Sequence, residues 1–156
     1  DVMGGPLFPQ EGGCRCGALR FRLAAAPVMS TACHCTGCQR MSGSAFSTTL
    51  MMMREAFELT QGTPVVGGLK GPEIHHQHCP ECLSWVFTTF ERPIVIVRAV
   101  MMDDTSWVAP FAESWMDEKL PWAQTGARHS YAQFPPPEAR DALMTGYADF
   151  LDRQES

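Results

Sequence analysis

Between Leu19 and Leu23 apolar residues alternate with Arg20 and Arg22, the period-2 signature of a strand with one buried face. Ala24 to Pro27 interrupt that alternation, and Val28 to Ala32 read as a second strand that delivers Cys33. Cys33 to Cys38 reads as a short loop. Ser42-Gly43 then turns the chain into Ser44 to Met53, whose Thr, Phe and Met content predicts a long strand. Glu55 to Thr60 predicts a short strand ending at Gly62, and Gly67, Gly68, Gly71 and Pro72 mark the 64–72 stretch as turn. Ile74 to His78, Trp85 to Phe90 and Ile94 to Val100 predict three further strands, the last being the clearest buried one. Pro110, Pro121 and the Pro135-Pro136-Pro137 run predict mostly loop, with short ordered pieces, over 101–137. Leu143, Tyr147, Phe150 and Leu151 fall near helical spacing within 138–153, which predicts a C-terminal helix. The pattern is mainly β, without an internal repeat of the whole chain.

Composition narrows the class. The 156 residues are 45% hydrophobic and 19% charged, which describes a folded chain with one core rather than a disordered one. Residues 1–11, with Gly4, Gly5, Pro6 and Pro9, are expected to be a flexible arm or a non-native extension, and 12–156 a single zinc-binding domain. The opening Asp1 to Gly13 lacks the basic stretch followed by an apolar one that marks an export signal. The chain starts on Asp1 rather than Met, which leaves room for residues before it. No apolar run approaches the roughly 18 residues of a membrane span. Twelve Lys and Arg against 17 Asp and Glu give a net charge of -5, which repels phosphate backbones and disfavours a nucleic-acid partner.

Seven cysteines change the picture more than charge does. Their odd number fits disulfide pairing poorly, and without an export signal they point to reduced thiols in a cytoplasmic setting. They also fall in three tight clusters, where inert buried cysteines would scatter. Cys14-Arg15-Cys16 and Cys79-Pro80-Glu81-Cys82 are short pairs of the kind that close a tetrahedral zinc shell. Residues i and i+2 of a strand face one side, so Cys14 and Cys16 can both address the metal. Cys33, Cys35 and Cys38 remain, three thiols that leave a second zinc one ligand short, as in a catalytic site. A histidine (His34, His75, His76 or His78) completing that second shell would make it structural instead. In extended backbone His34 points away from Cys33 and Cys35. A redox role for Cys79 and Cys82 fits poorly, since strand-like rather than helical sequence flanks them.

These motifs carry a family resemblance. Gly-Gly-Cys-Arg-Cys-Gly-Ala-Leu-Arg-Phe at Gly12 to Phe21 resembles the opening of the glutathione-dependent formaldehyde-activating enzymes. Cys-His-Cys-Thr-Gly-Cys-Gln-Arg-Met-Ser-Gly at Cys33 to Gly43 is similar to their central motif, and His78-Cys79-Pro80-Glu81-Cys82 to their third cluster. Met102-Asp103-Asp104 and Leu120-Pro121-Trp122 are weaker echoes, so the resemblance runs from about Gly12 to Pro137. It implies coiled three-stranded antiparallel β-sheets around two Zn²⁺ sites. Cys14, Cys16, Cys79 and Cys82 correspond to the structural site, and Cys33, Cys35 and Cys38 to the catalytic one. The implied activity is that of a carbon–sulfur lyase or synthase. It joins glutathione, or another thiol, to a small aldehyde such as formaldehyde. Leu83 stands where a glycine normally relieves a positive-φ position, so the turn after Cys82 is expected to bend differently here.

Coordination deprotonates a thiol that would otherwise be only a few per cent ionised at pH 7. Arg40, two residues after Cys38, is the expected contact for a substrate carboxylate or a counterweight to thiolate charge. The proton exchanged with the aldehyde oxygen is left open between water, His34 and a carboxylate such as Asp103. Trp85, Trp107, Trp115 and Trp122 are candidates for a pocket wall, with core packing expected for at least two of them. Two rivals stand beside the lyase: a zinc-stabilised binding module without chemistry, and a zinc-linked redox sensor.

Overall fold

In a computed structural model, which describes residues 4–69 and 71–154, the first strand is β1 (Gln10–Gly13). It begins two residues before Gly12, so the end of the expected arm is already paired structure. The strands β2 (Arg20–Leu23) and β3 (Met29–Cys33) follow. The helix α1 (Thr36–Ser42) and the strands β4 (Ser47–Met53), β5 (Phe57–Gln61) and β6 (Val65–Gly67) come next. After them come β7 (Ile74–His78), β8 (Trp85–Phe90) and β9 (Ile94–Arg98). The short β10 (Ala112–Ser114) and β11 (His129–Ser130) precede the closing helix α2 (Arg140–Asp152). The protein is mainly β, as its polarity pattern predicts, with antiparallel sheets and a C-terminal helix.

These elements form two compact units, one comprising Leu7–Pro27 and Leu50–Thr105, the other Asp1–Pro6, Val28–Thr49 and Ser106–Ser156. In the first, β1, β2 and β5 make a three-stranded antiparallel sheet. Leu19, Phe21 and Leu23 are buried there while Arg22 is exposed, so the alternation of the sequence is the alternation of the sheet faces. Phe57 packs between Phe21 and Phe87, with ring centroids 5.7 and 4.9 Å away. Gly12 lies opposite Phe21, where a Cβ would run into the aromatic ring. The strands β9, β8, β7 and β6 lie side by side in that order, antiparallel where β6, β7, β8 and β9 meet.

In the other unit β10 lies between β3 and β11 and runs parallel to both. Parallel pairing needs a long crossover, and the chain between β3 and β10 supplies it. The helix α2 turns Leu143, Tyr147 and Leu151 inward, and Phe111 packs on Tyr147 and Phe150 at 5.9 and 5.3 Å. Trp85 and Trp107 are buried, whereas Trp122 is 71% exposed and unsuited to core packing. Among the described residues no helix is long and apolar enough to cross a membrane.

Candidate metal centres

The segment after β1 folds back at once, since the Cys14 amide donates to the Leu19 carbonyl and the Gly17 amide to that of Cys14, both at 3.1 Å. Cys14 and Cys16 therefore share a tight turn rather than one face of a strand, which corrects the alternation argument. A second turn follows β7: Cys79 N–H donates to the Ser84 carbonyl at 3.0 Å and Leu83 N–H to the Cys79 carbonyl at 2.9 Å. Leu83 itself adopts the left-handed conformation, with φ 62, so the glycine-type bend is kept and its strain is borne by leucine. The expected different bend does not occur. The Arg15 amide reaches Ser84 Oγ at 3.4 Å and ties the two turns together.

The sulfurs of Cys14, Cys16, Cys79 and Cys82 all lie within 4.8 Å of one another. Cys16 Sγ is 3.7 Å from both Cys14 Sγ and Cys79 Sγ. A tetrahedron with metal–sulfur bonds of about 2.3 Å has edges of about 3.8 Å, so the donor set fits zinc in type, number and spacing. The Ser84 hydroxyl and amide hold the Cys82 thiol down to about 5 against the effect of burial. The Leu19 amide donates to Cys14 Sγ at 3.3 Å. Donors of this kind favour thiolate over thiol.

The second cluster sits where β3 meets α1. The expected loop is a helix from Thr36 onward, and Cys35 is its N-cap, with Sγ accepting from the Cys38 amide at 3.3 Å. Gly43 ends it in the left-handed region at φ 63, so Ser42-Gly43 serves as a helix stop. One turn of helix brings Cys38 back over Cys35, and the strand end supplies Cys33. All three sulfurs lie within 4.8 Å of each other. Contact with the Cys38 thiol, opposed by burial and helped by Cys35 and Ser114, lowers the Cys33 thiol to about 5. Cys38 is pushed well above the ordinary thiol range, first by Cys33 and then by burial. Thiols this close compete to carry charge, and a bound cation removes that competition.

His34, between the two ligand positions, is fully buried and belongs to neither cluster. Its Nε2 donates to Glu113 Oε1 at 2.8 Å, and Phe46 packs on its ring at 5.3 Å. Glu113 also accepts from the Thr125 and Ser130 hydroxyls at 2.9 and 2.8 Å. Burial works against its charge, but donors from Ser130, His34 and Thr125 prevail and hold it below the usual carboxylate range. Glu118 accepts from the Thr36 amide at 2.7 Å, which satisfies an open donor of α1. Neither Glu113 nor Glu118 stands out in the sequence, for both lie in the Pro-punctuated stretch that reads as loop.

The model of the glutathione-dependent formaldehyde-activating enzyme family matches residues 9–118. The chain belongs to that family. The matched span holds all seven cysteines, His34 and Glu113, and ends before Thr125 and Ser130. Over 60% of its length the chain is similar in fold to the crystal structure of a Rhodobacter sphaeroides protein, of which 87% is covered, with a TM-score of 0.51 at 14% identity. No curated protein shows significant sequence similarity to the chain.

The remaining candidates fall elsewhere. Arg40 is exposed in the last turn of α1. Asp103 forms a two-pronged ion pair with Arg20. His76 Nδ1 meets the Thr88 hydroxyl at 3.0 Å and His78 Nδ1 the His76 carbonyl at 3.2 Å. Neither these histidines nor His75 joins a cysteine cluster.

Proposed function

We propose that the protein is a zinc-dependent carbon–sulfur lyase or synthase, forming or cleaving a hemithioacetal between glutathione, or another thiol, and a small aldehyde such as formaldehyde. One observation carries this reading. Cys33, Cys35 and Cys38 supply three sulfurs, and no fourth Cys, His, Asp or Glu among the described residues joins them, whereas the other cluster supplies four. Zinc held by the three would retain an incoming thiol as thiolate.

The chain's own groups prepare that position. The Cys38 amide and the Ser114 side chain orient the sulfurs of Cys35 and Cys33. Arg40 offers an exposed guanidinium two residues beyond Cys38 for a carboxylate of the thiol substrate. Holding thiol and aldehyde side by side replaces several kcal/mol of entropic cost. In the addition, the S–H proton leaves, a bond forms between sulfur and the carbonyl carbon, and the carbonyl oxygen takes up a proton. Cleavage reverses each step, and neither direction needs an oxidant or reductant. His34 is wholly enclosed against Glu113, so we assign the oxygen's proton to solvent. We assign the activity to the cytoplasm, because seven cysteines in tight metal-binding clusters suit a reducing compartment.

Exchange NMR of formaldehyde with glutathione tests the reading. Wild-type protein is expected to accelerate exchange over buffer and Cys35→Ala to abolish the gain. Equal rates in buffer, variant and wild type would refute it.

A further inference from the structure

We infer that Glu113, acting through His34, is a positioning residue that keeps Cys33 and Cys35 turned toward one metal. The inference rests on the three-cysteine cluster being a metal site, and is independent of the reaction assigned to it. Side chains alternate along extended backbone, so a side chain anchored on one face at His34 orients both neighbours on the other. The anchor is fixed at three points. His34 N–H donates to the Ser114 carbonyl at 3.0 Å, its own carbonyl accepts from Gln39 Nε2 at 2.7 Å, and Nε2 donates to Glu113.

The carboxylate is itself held. Thr125 binds the same oxygen as His34, and Ser130 binds the other. Glu113 also lies beside Ala32 in the parallel β3–β10 pairing, one register step from Ser114 beside Cys33. A rotation at His34 would move two metal-binding sulfurs at once, and this network resists it. The ring's buried Nδ1 has no hydrogen-bond partner among the described residues, a costly arrangement for a residue that served only to fill space. Groups that orient metal ligands from outside typically change metal affinity by about 10- to 100-fold when removed.

The test follows zinc transfer from the zinc-loaded full chain to a coloured chelator. Cys38→Ser identifies the phase that belongs to the three-cysteine site. Glu113→Ala is expected to speed that phase by about 10-fold or more and leave the four-cysteine phase unchanged. Glu113→Gln, which keeps one acceptor oxygen for His34 and Thr125 and offers an N–H that the Ser130 hydroxyl can accept, is expected to restore most of the wild-type rate. Leu143→Ala, which opens a cavity under α2, is expected to lower the melting temperature without changing either phase. If Glu113→Ala does not fold, Thr125→Val removes one support of the carboxylate and is expected to speed the same phase several-fold. Equal acceleration of both phases by the Glu113 or Thr125 variants, or none, would overturn the inference. A wild-type chain that binds one zinc would overturn the metal reading and this inference together. Two zincs with unaltered release in the variants would overturn this inference alone.

Discussion

Cys16 and Cys79 are 63 positions apart in the chain, yet their sulfurs lie 3.7 Å from each other. Four like donors crowded at that spacing are stable when a cation draws them together and repel when ionised without one. Stripping zinc, or Cys79→Ser, is expected to lower the melting temperature by at least about 10 °C, the shift a few kcal/mol makes in a chain of this length. Calorimetry before and after chelation checks this. An unchanged melting temperature would separate the cluster from stability.

Leu83 occupies a conformation that costs a non-glycine residue about 1–2 kcal/mol, and the residue is 68% exposed, so little burial repays that strain. Leu83→Gly is expected to stabilise the zinc-loaded protein by about 1 kcal/mol in urea unfolding, after the greater entropy of glycine in the unfolded chain is subtracted. A loss of stability would show that the turn depends on leucine packing.

Asp103 and Arg20 pair at the surface, where such contacts contribute about 0–1 kcal/mol. Asp103→Asn is expected to change stability by less than about 1 kcal/mol and to leave thiol–aldehyde exchange at the wild-type rate. A large drop in exchange without unfolding would return Asp103 to the list of proton carriers.

Burial alone raises the Tyr147 phenol above its ordinary value. Its folded pKa exceeds the unfolded one of about 10, so its contribution to stability is intact below pH 10 and declines as pH rises above that. Of the two tyrosines, one is expected to ionise only as the chain unfolds, and Tyr147→Phe to flatten the alkaline fall in stability. Absorbance of tyrosinate followed beside circular dichroism distinguishes this from simple titration of both.

Legibility followed the range of the interactions. β7 (Ile74–His78) and β8 (Trp85–Phe90) lie where the sequence places them, because each is a β-rich run bounded by turn residues. The cysteine groupings were legible too, since spacing limits which thiols can share an ion. The helix at Thr36–Ser42 was not: seven residues with a glycine at position 37 carry little helical signal, and a thiol cap is not among the usual N-cap residues. β6 (Val65–Gly67) hid among glycines and depends on pairing with β7. Glu113 was invisible because its role comes from parallel pairing with a strand some 80 residues earlier, and nothing local to the 110–121 stretch announces that contact.

The 4 + 3 division of the thiols is tested most directly by zinc per chain in the wild type and in the Cys33, Cys35 and Cys38→Ser triple variant. Elemental analysis is expected to find two zincs in the first and one in the second, with the variant still folded. One zinc in the wild type, or two retained in the variant, would contradict the assignment of a metal to Cys33, Cys35 and Cys38.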